Sequence, residues 1–176
     1  MRRKALDKIT VRRKPGTAAR GWLVAGSWTL PVALGRGGIK ANKREGDGGT
    51  PRGTFHPVRL WWRADRGARP ATGLPVRRIR LDDGWCEEPS DRRYNRPVRV
   101  ASGSMADRLT RGDALYDLIV EIDHNTRPRI AGRGSAVFIH LARPGFGPTA
   151  GCVALAGPSL RRLVARLGPQ TRIEIE

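Results

Sequence analysis

The sequence predicts a mainly β domain of the α+β class, carrying one or two short helices. Three observations lead there. Apolar residues fall in short runs of about four to eight positions, several of them alternating, set off by Gly, Pro and Asp clusters. Only one stretch shows helical spacing. And 176 residues suffice for one buried core but leave little room for two, since domains commonly run to about 100–150 residues. The span 1–176 is therefore read as a single domain, with 1–20 a basic N-terminal segment including the first strand and 63–101 an irregular insertion.

In chain order, Ile9–Arg13 is the first strand. Gly21–Ala25 and Trp28–Leu34 flank Gly26-Ser27, the pattern of a two-residue hairpin. The stretch from Gly35 to Gly53 holds seven glycines and reads as a long polar loop of the kind that carries function. It fits neither G-x-x-x-x-G-K-[ST] nor G-x-G-x-x-G, so it is no phosphate cradle. Thr54–Trp62 reads as one strand. The 63–101 stretch, rich in Pro, Arg and Asp, has turn signals at Asp83-Gly84 and Glu88-Pro89 and is expected to lie over one face. Leu115–Asp123 and Ser135–Leu141 are strands, the second central. Pro158–Leu167 is the clear helix, with Leu160, Leu163, Val164 and Leu167 on one stripe, Pro158 in the first turn and Gly168 at the stop. Gln170–Ile175 closes as an alternating strand with Ile173 and Ile175 inward.

Thirty-four Lys and Arg against 16 Asp and Glu give a formal charge of +18. Such a charge attracts phosphate polymers, but its distribution argues against nucleic acid as the partner. Only five of these residues are Lys, all at or before Lys43, and the Arg residues are scattered as singles and pairs. No run of five like charges, zinc-finger spacing or RNP-like aromatic strand occurs. The preferred reading is an Arg-favouring genome and a solvated surface; a milder functional reading is a field that attracts acidic substrates. A non-catalytic basic module binding nucleic acid or anionic glycan is the alternative.

No apolar run approaches the 18 or so residues of a membrane span. The basic start up to Lys14 is not followed by an apolar h-region, which places the chain as written in the cytoplasm; a start further upstream would place it in the periplasm. Cys86 and Cys152 are too few for a disulfide framework and lack metal-site spacing, so no metal is expected.

The stretch "SAVFIHLARPGFGPTAGCVAL", residues 135–155, carries the chemistry. His140 ends an apolar strand, a Pro- and Gly-punctuated loop follows, and Cys152 comes twelve positions later. A thiol needs a nearby base or cation, because the thiolate is the nucleophile and an ordinary thiol is mostly protonated at neutral pH. Pairing with His140 would meet that need and lower the thiol pKa. Gly151 lets backbone approach a reacting carbonyl, making the Gly151 and Cys152 N–H groups candidate oxyanion donors. The competing reading is a Cys that is a small buried hydrophobe and a His satisfied within the core.

Residues 135–155 resemble the active-site signature of the L,D-transpeptidase (YkuD-type) catalytic domain family, in its compact branch without a signal peptide. "GDGGTPRGTF" (46–55) is similar to that family's T-P-x-G-x-F loop and strand, and "DGWCEEPSDRRYNRPV" (83–98) resembles a segment of its compact branch. The resemblance implies a β-sandwich-like mixed sheet with a short helix, Cys152 as nucleophile, His140 as base, and the Leu141 carbonyl orienting that imidazole. It also implies a reaction: attack on the diaminopimelate–D-Ala bond of a peptidoglycan stem tetrapeptide, or of a soluble muropeptide. The resulting thioester passes to an amine (L,D-transpeptidase) or to water (L,D-carboxypeptidase), with no cofactor. Thr149-Ala150 stands where many members have Ser-His, and Ala154 where many have Arg or Asn. A member that binds peptidoglycan without catalysis is a further option.

Arg143, three positions after His140, is the first candidate for the substrate carboxylates, bidentate where geometry allows; Tyr94 and Arg96 are weaker candidates. Cys86 and His124 read as structural, His56 as half-exposed on a strand, and Trp61-Trp62 as core and edge.

Overall fold

The computed structural model describes residues 4–101 and 107–176; the first three residues of the basic N-terminal segment lie outside these. Alternation between buried and exposed positions builds the opening meander. β1 (Lys8–Arg13), β2 (Arg20–Ala25) and β3 (Trp28–Ala33) pair antiparallel, with Ala25 opposite Trp28 across the Gly26-Ser27 turn. Gly26 takes φ +62° there, which the primed two-residue turns require. The glycine-rich stretch contains only a two-residue parallel pair, β4 (Ile39–Lys40) with β5 (Thr50–Pro51).

The expected strand over Thr54–Trp62 is two strands. β6 (Gly53–Phe55) and β7 (Pro57–Trp62) are separated by His56 alone. They nevertheless sit near opposite ends of one ten-stranded sheet. Further along come β8 (Val76–Arg78), β9 (Asp83–Trp85), β10 (Pro97–Arg99), β11 (Asp107–Arg108), β12 (Leu118–Ile122), β13 (Phe138–Leu141), β14 (Val153–Leu155), α1 (Gly157–Val164) and β15 (Arg172–Ile175). The sheet order is β6-β15-β1-β2-β3-β14-β13-β12-β7-β8. Chain-adjacent strands at such distant places mean that the sheet curls back toward itself, and His56 is its seam: its N–H donates to Asp123 Oδ1 (2.7 Å) and its carbonyl accepts the Asp123 N–H (3.0 Å). The sheet is mixed, with β1/β15, β13/β14 and β7/β8 parallel. The fold class is thus mainly β with one helix, as the sequence indicates.

The main core fills the curl. Ile9, Leu23, Leu60, Val120, Ile139, Val153 and Ile173 meet the α1 residues Leu160, Leu163 and Val164 there. β12 is buried along its whole length because its other face is covered too. On that face Trp61, Ile119 and Phe138 pack against Ile79 and Trp85 of the 63–101 stretch, Tyr116 and Cys152. Leu74 of this stretch belongs to the main core instead, and the stretch is more regular than expected: β8 extends the large sheet, and β9 and β10 join β11 in a small one of their own.

Replacing the fully buried Leu160 with Ala is expected to cost about 2–5 kcal/mol by leaving a cavity between α1 and the sheet. Urea unfolding should show this as a lower midpoint at unchanged slope.

Candidate active site

Parallel neighbours cannot be joined by a tight hairpin; the chain must travel from the end of one strand to the start of the next. Between β13 and β14 residues 142–152 make that journey, including a short 3₁₀ turn at Pro144–Phe146. His140 lies in register with Ala154. Since strand side chains alternate, Cys152, two residues before Ala154, falls on the same face as His140. His140, Cys152 and Ala154 accordingly line one cavity of about 140 Å³, together with Arg111, Tyr116 and Arg143.

His140 is 6% exposed and Cys152 7%. The imidazole Nδ1 lies 2.8 Å from the Leu141 carbonyl. A carbonyl only accepts, so this nitrogen carries the proton and Nε2 is left with its lone pair. The Tyr116 ring stands edge-on to the imidazole at 5.4 Å between centroids. Burial holds the His140 pKa down at about 4, aided by the positive charges of Arg111 and Arg143.

The sulfur is held from the opposite side. Cys152 Sγ donates to the Ala136 carbonyl (3.2 Å) and accepts the Phe138 N–H (3.3 Å). Among the described residues no hydrogen bond joins it to His140. Burial pushes the thiol up to about 12, with the charges of Asp107 and Glu87 acting in the same direction. The lowered thiol pKa expected from the sequence is therefore not what this environment produces: imidazole and thiol share the cavity as a neutral pair. Both cysteines are free thiols.

The turn before Cys152 is held by the glycine-rich stretch. Thr149 Oγ1 donates to the Cys152 carbonyl (2.7 Å) and accepts the Gly151 N–H (3.1 Å). Of the two expected oxyanion donors, Gly151 thus has its N–H taken, while that of Cys152 has no partner among the described residues. Gly151 sits at φ +144°, and a Cβ there would come within 2.8 Å of the Gly49 carbonyl. The Thr149 backbone pairs with Leu34 and Arg36. Beneath lies Lys43, buried and bonded to Asp47 Oδ1 (2.7 Å).

Of the sequence candidates, the structure brings Cys152, His140, Leu141, Gly151 and Arg143 together. Tyr94 and Arg96 do not line the cavity. Tyr94 is buried, with its hydroxyl donating to Glu45 and accepting the Gly134 N–H (3.0 Å). Glu45 also accepts from Ser135 Oγ (2.8 Å), and Asn95 Oδ1 accepts the Ala136 N–H (3.2 Å). These residues fix the segment whose carbonyl receives the thiol. Sequence reading missed Arg111 and Tyr116. Arg111 is clamped by Asp113 through two bonds (2.9 and 2.8 Å) and stacked over the Tyr116 ring at 5.0 Å. Nothing in their local sequence marks them.

Two pH experiments follow. Iodoacetamide should label Cys152 much more slowly than free cysteine at pH 7–8, the rate climbing steadily into the alkaline range; a plateau near pH 6–7 would contradict the raised thiol pKa. For His140 the unfolded state binds the extra proton between pH 6.5 and 4, so stability falls as pH drops through that window. The loss should approach about 3 kcal/mol for this buried group, and urea unfolding of His140→Gln should lack that part of the pH dependence.

The sequence profile of the L,D-transpeptidase catalytic domain (YkuD) matches residues 17–175. Two solved structures are similar to the chain. An L,D-transpeptidase from Mycobacterium smegmatis shares 13% identity at a TM-score of 0.46, covering 96% of this chain and 58% of that one. L,D-transpeptidase 1 of Mycobacterium tuberculosis shares 14% at a TM-score of 0.40, covering 96% and 61%. The chain thus spans about three fifths of the length of these proteins. No curated protein matches it. With the profile spanning all but the first sixteen residues and the last, the chain belongs to the L,D-transpeptidase catalytic domain (YkuD) family.

Proposed function

We propose that the chain is a cysteine acyltransferase acting on peptidoglycan stem peptides. Cys152 Sγ attacks the carbonyl of the diaminopimelate–D-Ala bond, and its proton passes to His140 Nε2. The tetrahedral oxyanion is held by the Cys152 N–H. As it collapses, His140 returns the proton to the departing D-Ala amine, leaving a thioester on Cys152. An amine acceptor, or water, then gives up a proton to His140 and attacks the thioester; the sulfur leaves and is reprotonated. The amine product is a crosslink or an exchanged peptide, and the water product is the tripeptide.

The observation that carries this reading is the polarity of His140. Its Nδ1–H is committed to the Leu141 carbonyl, so its free lone pair belongs to the cavity it shares with Cys152. The neutral pair suits proton transfer during attack rather than a standing thiolate, because an ion pair in this buried place would bear the cost of desolvating both charges. The sulfur must also turn away from the Ala136 carbonyl to meet the substrate. Arg111 and Arg143 supply guanidinium groups for the substrate carboxylates, in a site where Ala154 offers none. Among the described residues no helix is long and apolar enough to cross a membrane.

Incubating the protein with a stem tetrapeptide, with and without a D-amino acid, and reading the products by mass spectrometry tests the reaction and separates its two outcomes: tripeptide marks hydrolysis, exchanged peptide marks transfer. Cys152→Ala is expected to lower the rate by at least about 10³-fold and His140→Ala by about 10²–10⁴-fold, the latter with Cys152 still open to alkylation. Turnover that survives Cys152→Ala would end the proposal.

A further inference from the structure

A cleft of about 760 Å³ runs along β8, the last strand of the large sheet, whose outer edge has no neighbour among the described residues. It is lined by Arg63, Arg77, Arg78, Arg80 and Arg99, with Asp65 as the single acidic lining residue among the described residues and Leu81 standing 79% exposed at its margin.

Three of these arginines are locked in place. Arg63 is gripped by Asp65 through two bonds (2.8 and 2.6 Å), Arg77 lies over the Trp61 ring at 4.4 Å, and Arg99 is held by Asp82 (2.6 Å) and Asp83 (3.0 Å). The side chains of Arg78 and Arg80 make no ion pair or hydrogen bond among the described residues. The backbone beneath Arg80 is nevertheless fixed: its N–H donates to Asp83 Oδ2 (2.8 Å) and its carbonyl accepts from Thr110 Oγ1 (2.9 Å). The cleft therefore presents two uncommitted guanidinium groups on a rigid, cationic floor.

It adjoins the candidate active site through shared lining residues. Thr110 lines both this cleft and an adjoining cavity that holds Glu87 and Asp107, and Arg111 lines both that cavity and the one with His140 and Cys152. Arg63 Nη1 donates to the Arg111 carbonyl (3.1 Å), tying the two ends together.

We propose that the cleft is a distal subsite for an anionic glycan, a polysaccharide bearing carboxylate or phosphodiester oxyanions. Guanidinium groups match both oxyanions bidentately, and Leu81 offers an apolar surface to the C–H face of a sugar ring. Nucleic acid fits less well, because among the described residues no aromatic side chain lines the cleft for bases to stack on. The proposal rests on the peptidoglycan reading only for the choice of polymer class.

The test measures binding on full-length Cys152→Ala, so that failure of the acyl-transfer reading leaves its result standing. Fluorescent probes are an oligogalacturonate, a glycerol-phosphate oligomer, a neutral chitin oligosaccharide and single-stranded DNA matched in charge. At least one anionic glycan should bind about tenfold or more tightly than the neutral one, weaken as salt rises, and lose about tenfold on Arg78→Glu with Arg80→Glu. The two glycan arms tell carboxylate from phosphodiester. Arg78→Gln with Arg80→Gln, which only removes charge, should weaken binding about threefold with an unchanged circular-dichroism spectrum. Affinity unmoved by either pair, no preference over the neutral sugar, or tighter binding of DNA than of both glycans would each overturn the proposal.

Discussion

The parallel pairing of β13 with β14 is the constraint from which the candidate site follows. It places His140 beside Ala154 and puts Cys152 on the same face, while forcing the chain between them into an eleven-residue excursion. That excursion cannot support itself. Its return is held by Thr149, by the Gly49 carbonyl packed where only a glycine at 151 fits, and by the backbone of Leu34 to Arg36. A hydroxyl deletion at Thr149 would free two backbone groups at the turn rather than remove one contact.

Dehydration rules the chemistry of this place. Moving an imidazole and a thiol out of water disfavours the charged form of each, so they stand as a neutral pair although their ordinary pKa values lie within about two units of each other. Opposing this are the Phe138 N–H and the Lys43 ammonium, which favour the thiolate, while Asp107 and Glu87 reinforce neutrality. The charge around the sulfur is thus set by residues far from it in sequence. The family membership fits this architecture, and the proposed acyl transfer draws on the neutral pair for its proton transfer.

What was legible in the sequence was local. The α1 stripe, the Gly26-Ser27 hairpin and the alternation of β15 follow from periodicity and turn chemistry, and His140 with Cys152 stood out as a strand end followed by a glycine-punctuated loop. What was not legible was partnership. Thr54–Trp62 has the pattern of a strand, but pattern does not say which neighbour each half will choose, and the halves chose opposite ends of the sheet. Ser135–Leu141 reads as one strand, yet Ala136 takes φ +50° and the pairing begins only at Phe138. The three-residue strands of 63–101 are too short to show a period. The sequence around Tyr94 gives no hint that its hydroxyl is taken by Glu45, 49 residues away, and so leaves it looking like a residue that faces substrate. Nor does anything around Arg111 and Tyr116 in sequence point to the cavity they line.

The curl of the large sheet also bears on how the molecule comes into being. β15 is the last described strand in chain order, yet it lies between β6 and β1, and it is the neighbour that covers both. Those two early strands keep open edges until Arg172–Ile175 pairs with them, so completing this part of the sheet joins segments far apart in sequence and must close long loops. The folding chain is exposed to edge-to-edge association over that interval, and its strong positive charge supplies the self-repulsion that keeps neighbouring copies apart while the last strand arrives.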